Sequence, residues 1–600
     1  MKTLLVAINA KYIHSNPAVY SLRTYSGKYK ENIGIAEFTI NNTREEILAE
    51  IYKEQAEMVA FSCYIWNIGM ITELVKELKQ IQPKSKIWCG GPEVSYHYAE
   101  FLADNKAIDG IVIGEGEQSF LELMGYYQEQ AKGLDSIEGI IFRESARLKE
   151  DFPGRAAEDT IPLPEESAPE MTETGLRQPL SLDAVPFPYE NMKLFRNKII
   201  YYESSRGCPY SCSYCLSSVD RRIRLRSLEL VKRELQLFLD HRVAQVKFVD
   251  RTFNCNRNHA MEIWNYIREH DNGITNFHFE ITADLLTGEE LALLATLRPG
   301  QVQLEIGVQT TNPATMEAIR RRVDYERLAE NVEHIRKGHN IHQHLDLIAG
   351  LPLEELDSFI KSFNEVYRLK PDQLQLGFLK VLKGSPLEGE RERYGIVARK
   401  LPPYEVLYTA ALSYREILLL KGVCEMVEVY YNSGQFTNSV RYLEHYYETP
   451  FELYRGISEY YEEKGLNRLA HSRVKRYEIL VDFYRDKMLE SELYSKKERQ
   501  PVCDAKLFHE ILLYDMYLRE NLKSRPYFAK PSLDHRLQNE IREAYHIEKA
   551  QSHLERFTYD IPASAETGMP VEDDRVVLFR YDCRDPISAS AEVTVLKPNE

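Results

Sequence analysis

Over the first 145 residues, short β-branched and aliphatic runs alternate with stretches whose apolar positions recur every three or four residues. The runs at 4–8, 33–38, 58–61, 86–89 and 110–113 predict strands, and 68–81 and 117–131 predict helices with one buried face. Five repeats of strand then helix imply a parallel, doubly wound (Rossmann-like) sheet, class α/β. The pattern then lapses. Residues 151–190 are acidic and proline-rich, as in Ile161-Pro-Leu-Pro-Glu-Glu-Ser-Ala-Pro-Glu170, and predict a linker over 146–195.

Alternation resumes over 196–395. Strands are predicted at 199–203, 245–250, 277–282, 302–307, 342–348 and 373–381, with helices at 228–239, 259–270, 288–297, 313–337 and 355–369. Six strands with five crossovers predict a parallel sheet curled into a partial (β/α)6, TIM-like barrel. From about residue 398 helical patterns rich in tyrosine take over, at 404–420, 439–447, 451–464 and 505–522. They predict a mainly helical domain over 396–530, and tyrosine stripes at that spacing are more often core than a substrate cage. A small extension, 531–600, carries a helix at 534–553 and a hairpin of 576–580 with 591–596.

Ligands of such sheets and barrels sit beyond the carboxyl ends of the strands. In the first domain those positions are small and polar: Asn9-Ala10, Ser62-Cys63, Gly90-Gly91-Pro92-Glu93 and Gly114-Glu115-Gly116-Glu117. Paired glycines let the backbone approach a bulky ligand, although any one of these loops is also what a parallel sheet needs to turn.

The 600 residues give room for about four domains. Hydrophobic content of 44% with 28% charged residues is ordinary for a soluble protein. No stretch approaches the roughly 20 apolar residues of a membrane span, and Met1 to Asn9 run straight into a strand pattern without a signal-peptide cleavage region, so no membrane role and a cytoplasmic location are expected. A net charge of −16 gives no general attraction to phosphate backbones. The local run Arg221-Arg-Ile-Arg-Leu-Arg226 is read as surface, and nucleic acid is not an expected partner.

Three of the nine cysteines fall within eight residues, as Cys208, Cys212 and Cys215, directly after the first strand of the second alternating region. No two of Cys63, Cys89, Cys255, Cys424, Cys503 and Cys583 are closely spaced, which is no disulfide framework and fits a reducing compartment. Three thiolates could hold a four-iron cluster with one iron left open, a zinc ion completed from elsewhere, or nothing. A cuboidal cluster held by three cysteines leaves one iron with open positions, which a small chelating molecule can occupy.

Two patterns match known families. Trp88-Cys-Gly-Gly-Pro-Glu93 followed by Asp109-Gly-Ile-Val-Ile-Gly-Glu-Gly-Glu117 resembles the cobalamin-binding domain that precedes many radical S-adenosylmethionine (SAM) domains. This implies cobalamin contacts from Asn9, Ser62, Gly90, Gly91, Pro92, Glu93, Gly114, Glu115 and Gly116. The D-x-H-x-x-G motif that supplies a cobalt-binding histidine elsewhere does not occur in the chain, and His14 is the only histidine near its place. The resemblance therefore implies cobalamin bound without a protein histidine.

The spacing Cys-x3-Cys-x-aromatic-Cys, with Tyr214 as the aromatic, is similar to the signature of radical SAM enzymes, and Asp183-Ala-Val-Pro-Phe-Pro-Tyr189 resembles the lead-in to their core. That resemblance implies a [4Fe-4S] cluster on Cys208, Cys212 and Cys215, with SAM on the open iron. Cleavage there would give a 5′-deoxyadenosyl radical. Similarity to the coproporphyrinogen-oxidase-like branch places Glu280, Gln309, Arg321 and Asp346 around SAM, Glu280 and Asp346 as hydrogen-bond acceptors, and adds Tyr214, Asp250 and Arg251. Arg321 is the middle of three arginines, Arg320 to Arg322, and Asp250-Arg251 stands where other branches carry glycines.

The order of domains resembles a branch of cobalamin-binding radical SAM proteins with an extra C-terminal helical domain. It implies methylation of an unactivated carbon in an unknown substrate, with an electron donor such as flavodoxin or ferredoxin. The alternatives are a cobalamin-assisted rearrangement and a non-catalytic cobalamin or redox sensor. Transfer-RNA methylthiolation is disfavoured, because the first domain offers only Cys63 and Cys89 to a second cluster.

Overall fold

A computed structural model describes residues 1–148, 171–489, 504–522, 525–529, 532–546 and 548–596; most of the expected linker, 149–170, lies outside the described residues. The chain divides into two compact units, the first comprising residues 1–296, 317–322 and 379–407 and the second 297–316, 323–378 and 408–600.

The first unit begins with a sheet of β1 (Thr3–Asn9), β2 (Ile33–Thr39), β3 (Met58–Ser62), β4 (Lys86–Gly90), β5 (Gly110–Val112), β6 (Ile140–Arg143) and β7 (Met171–Glu173), in the order β2-β1-β3-β4-β5-β6-β7. The first five are parallel. Alternate residues face opposite layers: Leu4, Val6 and Ile8 pack with helices Arg44–Lys53 and Ile68–Ile81, and Leu5 and Ala7 with helices Pro17–Tyr25 and Glu117–Glu129. This is the doubly wound arrangement, and its order reverses between β1 and β3, where such sheets place ligands. The expectation of a wholly parallel sheet is corrected at one edge. β6 and β7 add antiparallel, and β7 comes from the segment expected as linker. The buried Ile140, Ile141 and Phe142 cover an edge that β5, three residues long, would leave bare.

The same unit holds β8 (Ile200–Tyr202), β9 (Ser205–Arg206), β10 (Arg224–Leu225), β11 (Gln245–Phe248) and β12 (Asn276–Ile281). β11 lies parallel between β8 and β12, while β9 and β10 form a short antiparallel ribbon. The chain after β1 is tied to the start of β8 by a bridge from His14 to Ile199 and by the Ser15 hydroxyl, which donates to the Ile199 carbonyl at 2.9 Å. Phe277 and Phe279 of β12 point to the apolar layer, where Phe279 meets Phe248, Phe253 and Trp264, and Glu280 lies on the opposite, polar face.

In the second unit β13 (Val302–Gln309), β14 (Ile341–Ala349) and β15 (Gln373–Phe378) are parallel neighbours, followed in the chain by β16 (Val397–Ala398), which belongs to the first unit, and β17 (Val406–Tyr408). The helix expected over 313–337 is two helices, Pro313–Ala318 and Tyr325–Gly338, because Arg320 takes a left-handed φ of 57° and Asp324 caps a fresh start by accepting from the Arg327 amide. Helices Tyr414–Val427, Thr437–Glu444, Pro450–Glu463, Arg473–Tyr484 and Ala505–Arg519 follow. The helix expected at 404–420 begins at Tyr414, after β17.

Tyrosines form the core of this helical region: Tyr442, Tyr454 and Tyr484 are fully buried, and their hydroxyls are satisfied by neighbours, as in Tyr446 to Tyr484 at 3.1 Å. The expected helix at 534–553 ends at Ala544, and its last residues begin β18 (Ser552–Tyr559). The expected hairpin becomes three antiparallel strands, β18 with β19 (Glu572–Arg584) and β20 (Ala591–Leu596). Leu554, Val576, Leu578 and Leu596 supply the apolar face that a lone hairpin would lack.

Candidate functional site

Cys208, Cys212 and Cys215 all lie in the loop that joins β9 to β10. Its neck is narrow. Arg206 pairs across the ribbon with Arg224, and Gly207 has a φ of 90° at which a Cβ would strike the Arg222 carbonyl. The Cys208 amide donates to the Asp220 carbonyl at 3.0 Å, the Ser213 amide to the Ile319 carbonyl at 2.9 Å, and the Leu387 amide to the Ser213 carbonyl at 2.8 Å. The loop's backbone is thus closed on itself once and fixed by two segments from elsewhere in the chain, at Ile319 and Leu387.

All three thiols are free, and those of Cys208 and Cys212 are buried. Burial pushes the Cys212 thiol up, opposed by the Arg321 guanidinium, whose Nη1 lies 3.9 Å from the sulfur. Arg321 also hydrogen-bonds the half-buried Tyr214 and feels the Asp284 carboxylate. Cys208 Sγ lies 3.7 Å from the Thr252 hydroxyl, and Cys212 is coupled electrostatically to both other thiols. Ser213 Oγ, in the middle of the loop, is buried without a hydrogen-bond partner among the described residues. Soft donors from one short loop beside an unsatisfied buried hydroxyl fit a thiolate-held cluster.

The other expected SAM contacts fall in different places. Asp250 is buried at the end of β11 and accepts from the Ser204 amide at 3.0 Å and both Ser204 and Ser205 hydroxyls, so its carboxylate anchors the strand that enters the cysteine loop. Arg251 lines a cavity described below. Gln309 closes β13 and Asp346 lies on β14, both in the second unit, where Asp346 Oδ1 is 3.0 Å from His344 Nε2 and the Glu305 carboxylate completes a cluster within 4.8 Å.

At the strand ends of the first domain, Gly91 has a φ of 115°, and a Cβ there would come within 2.6 Å of the Cys63 carbonyl, so only glycine fits. Ser95 ties this loop to the next, donating to the Gly91 carbonyl at 2.9 Å and accepting from the Gly114 amide at 3.1 Å. Ser62, Gly90, Gly91, Gly114 and Gly116 line an apolar cavity of about 130 Å³ between the sheet and helices Pro17–Tyr25 and Glu117–Glu129. Asn9 instead donates to the His14 carbonyl and the Glu37 carboxylate. Glu93 is held by Lys383 at 3.1 Å and by the Tyr404 hydroxyl. His14 Nδ1 is taken by the Tyr201 hydroxyl at 2.6 Å.

A second cavity, of about 540 Å³, has Gly91, Pro92, Gly114 and Glu115 on one wall and Gly207, Leu216 and Ser217, flanking the cysteines, on another. Tyr64 lines both cavities and stacks on Trp66 with ring centroids 4.4 Å apart. Glu115 and Arg251 of this cavity were expected from the sequence, whereas Tyr64, Glu203, Arg206 and Arg224 were not; the signal for Tyr64 is its place just after the Ser62-Cys63 strand end.

Those charges are closely packed. Arg206 makes a two-oxygen contact with Glu203, both at 2.9 Å, an ion pair with Glu115 at 3.3 Å and a hydrogen bond to Glu117. Burial pulls the Arg206 guanidinium down, but these carboxylates more than reverse it and hold its charge. Arg224 binds the same Glu115 and the Leu180 carbonyl. Burial pushes Glu115 up, and the two arginines pull it below the ordinary glutamate range.

Three family models match separate parts of the chain: B12 binding domain over residues 3–124, Radical SAM superfamily over 202–366, and Protein of unknown function (DUF4080) over 392–579. The chain is 27% identical over 329 residues to 2-(S-pantetheinyl)-carbapenam-3-carboxylate methyltransferase of Streptantibioticus cattleyicolor, covering 50% of this chain and 44% of that protein. It is 25% identical over 372 residues to the cobalamin-dependent radical SAM methyltransferase TokK of Streptomyces tokunonensis, covering 57% and 50%. The chain thus spans about half the length of these curated relatives. The solved structure of the cobalamin-dependent SAM radical enzyme OxsB with aqua-cobalamin bound superposes with a TM-score of 0.57 at 16% identity, over 91% of this chain and 84% of that one, a likeness of fold.

The matched domains set the cofactors: cobalamin for the first, SAM and a [4Fe-4S] cluster for the second. Radical SAM enzymes draw on a reductant and act on a substrate, and among the described residues no helix is long and apolar enough to cross a membrane. One chain thus carries, in order, a region matching the B12 binding domain, a region matching the Radical SAM superfamily and a largely helical C-terminal region matching a family of unknown function.

Proposed function

We propose that the protein is a cobalamin-dependent radical SAM methyltransferase acting on an unactivated carbon. The observation that carries this reading is the 540 Å³ cavity, which the glycine loops of the B12-binding domain and the flanks of the cysteine loop wall together. When bound, the cluster and SAM supply a hydrogen-abstracting radical and cobalamin supplies the methyl group.

The chain's own part is to bind, orient and enclose. Cys208, Cys212 and Cys215 are the cluster ligands in this reading, with the Arg321 cation beside Cys212 favouring its thiolate. Tyr214 holds Arg321, Arg251 faces the cavity, and Glu280, Gln309 and Asp346 are assigned to SAM by family resemblance. Asp250 acts one step removed, by fixing Ser204 and Ser205. Ser62, Gly90, Gly91, Pro92, Gly114, Glu115 and Gly116 face the corrinoid, whose apolar parts the 130 Å³ slot suits. Asn9 and Glu93 brace the loops that carry those residues. The Tyr201 hydroxyl on His14 agrees with cobalamin held without a protein histidine.

The electron donor is proposed to be a flavodoxin or ferredoxin, and the place of work the reducing cytoplasm, where three free thiols and an open cluster persist. The test is anaerobic reconstitution with cluster, cobalamin, SAM and dithionite, following 5′-deoxyadenosine and S-adenosylhomocysteine. Both products are expected. Neither product from fully loaded protein sinks the enzyme reading, and deoxyadenosine alone sinks methyl transfer in favour of a rearrangement.

A further inference from the structure

Glu115 stands across the neck of the cysteine loop. Arg206 and Arg224, the paired residues at the base of the ribbon, both bind it, and Glu117 from the same glycine loop takes a second contact from Arg206. Glu117 is further held by the Ser21 hydroxyl at 3.3 Å, so the acidic loop is anchored on its own domain before it reaches the arginine. Glu203 accepts from Arg206 Nε with both of its oxygens from the strand side, which leaves the two terminal nitrogens to Glu115 and Glu117.

Joining two domains does not need such a cluster. A half-buried ion network is weak as a source of stability, because desolvation and solvent screening offset much of the attraction, and apolar residues would join the same surfaces more cheaply. Directional bonds give something else: a fixed distance and a fixed angle. The residues joined are Gly114 to Glu117, facing the corrinoid cavity, and the residue two positions before Cys208.

From this geometry we propose that Arg206 is a positioning residue that sets the spacing between the glycine loop 114–117 and the cysteine loop, and so between cobalamin and the cluster. The inference rests on the reading of the chain as a protein that holds both cofactors. Arg206 touches neither reacting group. It acts through the backbone of Gly207 and Cys208 on one side and through Glu115 and Glu117 on the other, and reactions between two held groups are sensitive to ångström-scale misplacement.

The test uses the full chain, anaerobically reconstituted with cluster and cobalamin and poised so that cob(II)alamin and the reduced cluster are both paramagnetic. Pulsed EPR reads the distance between the two spins. The wild type is expected to give one narrow distance. Arg206→Gln is expected to keep full iron and corrinoid content while the distance shifts and broadens, and Arg206→Lys, which retains the cation but not the guanidinium's separate contacts, to restore the narrow distribution only in part. Glu117→Gln removes the same contact from the other domain and decides the matter where Arg206→Gln does not fold.

Fully loaded variants with an unchanged distance overturn the inference alone. Loss of fold in both Arg206→Gln and Glu117→Gln overturns it too, since the contact is then a folding element. A wild type that takes up a cluster but no cobalamin overturns the reading beneath it.

Discussion

Arg321 Nη1 lies 3.9 Å from Cys212 Sγ, reached from the turn between helices Pro313–Ala318 and Tyr325–Gly338. The turn is held in place by the Ser213 amide, which donates to the Ile319 carbonyl, so the arginine and the cysteine loop share one local frame. A fixed cation beside a cluster ligand favours the more negative, reduced cluster. At about 6 Å and an effective dielectric constant of about 20, its effect is roughly 3 kcal/mol, or on the order of 100 mV. Arg321→Gln is therefore expected to lower the cluster midpoint potential by that order, read by EPR-monitored redox titration. An unchanged potential at full iron content would remove Arg321 from the cluster's electrostatics.

Cys212→Ala is expected to abolish cluster absorbance and all SAM cleavage while corrinoid retention changes little. The cores on the two faces of the first sheet are built almost wholly from residues 1–148 and make no use of the cysteine loop. Iron analysis, visible spectra and deoxyadenosine assays check this together. A variant that still forms deoxyadenosine refutes the ligand assignment.

Gly91→Ala puts a Cβ within 2.6 Å of a backbone carbonyl at a φ of 115°, where no flexible side chain can yield. Such strain costs about 1–3 kcal/mol. The expected outcome is a lower denaturation midpoint and loss of bound corrinoid, with cluster content unchanged. Corrinoid retained at wild-type level would place the ligand away from this loop.

The strand ends of the first domain were legible because the unbroken apolar run Leu4 to Ile8, buried on both faces, and the small residues after each strand are local features. The cysteine loop was legible for the same reason. Arg206 was not: its partners Glu115 and Glu117 lie about ninety residues away, and an arginine before a cysteine motif carries no local pattern. Glu93 shows the converse. Its place after two glycines suggested a ligand contact; Lys383, just after the last expected strand of the second alternating region, and Tyr404, at the expected start of the helical domain, hold its carboxylate. β7 escaped because it lies in an acidic run, and the start of β18 because the helical reading was carried on past Ala544, where the helix ends, as far as His553.

Tyr404→Phe removes a hydrogen bond to Glu93, which is buried and keeps Lys383 as its ion-pair partner among the described residues. Hydrogen bonds to charged groups contribute about 1.5–3 kcal/mol, so the loss is expected to be about 2 kcal/mol by chemical denaturation. Glu93→Gln, which leaves the phenol a neutral acceptor, is expected to cost less than Glu93→Ala. A Tyr404→Phe variant as stable as wild type would mean that this contact does not fasten the Gly91 loop.

Glu354, in the loop after β14, is buried and accepts from the Thr310 hydroxyl, next to the end of β13, at 2.6 Å. Burial pushes its carboxyl from the ordinary 4.5 up to about 7, against the pull of its hydrogen bonds. The folded protein therefore prefers the protonated acid. The stability this contributes is complete below about 4.5 and is lost as pH rises through about 7, because the unfolded chain releases the proton more readily. The shift corresponds to about 3 kcal/mol between the ends of that window. Glu354→Gln keeps the shape and cannot ionise, so it is expected to unfold at higher denaturant than wild type at pH 8, to match it near pH 5, and to flatten the slope between. Parallel pH profiles for the two proteins would show that Glu354 does not titrate in the native state.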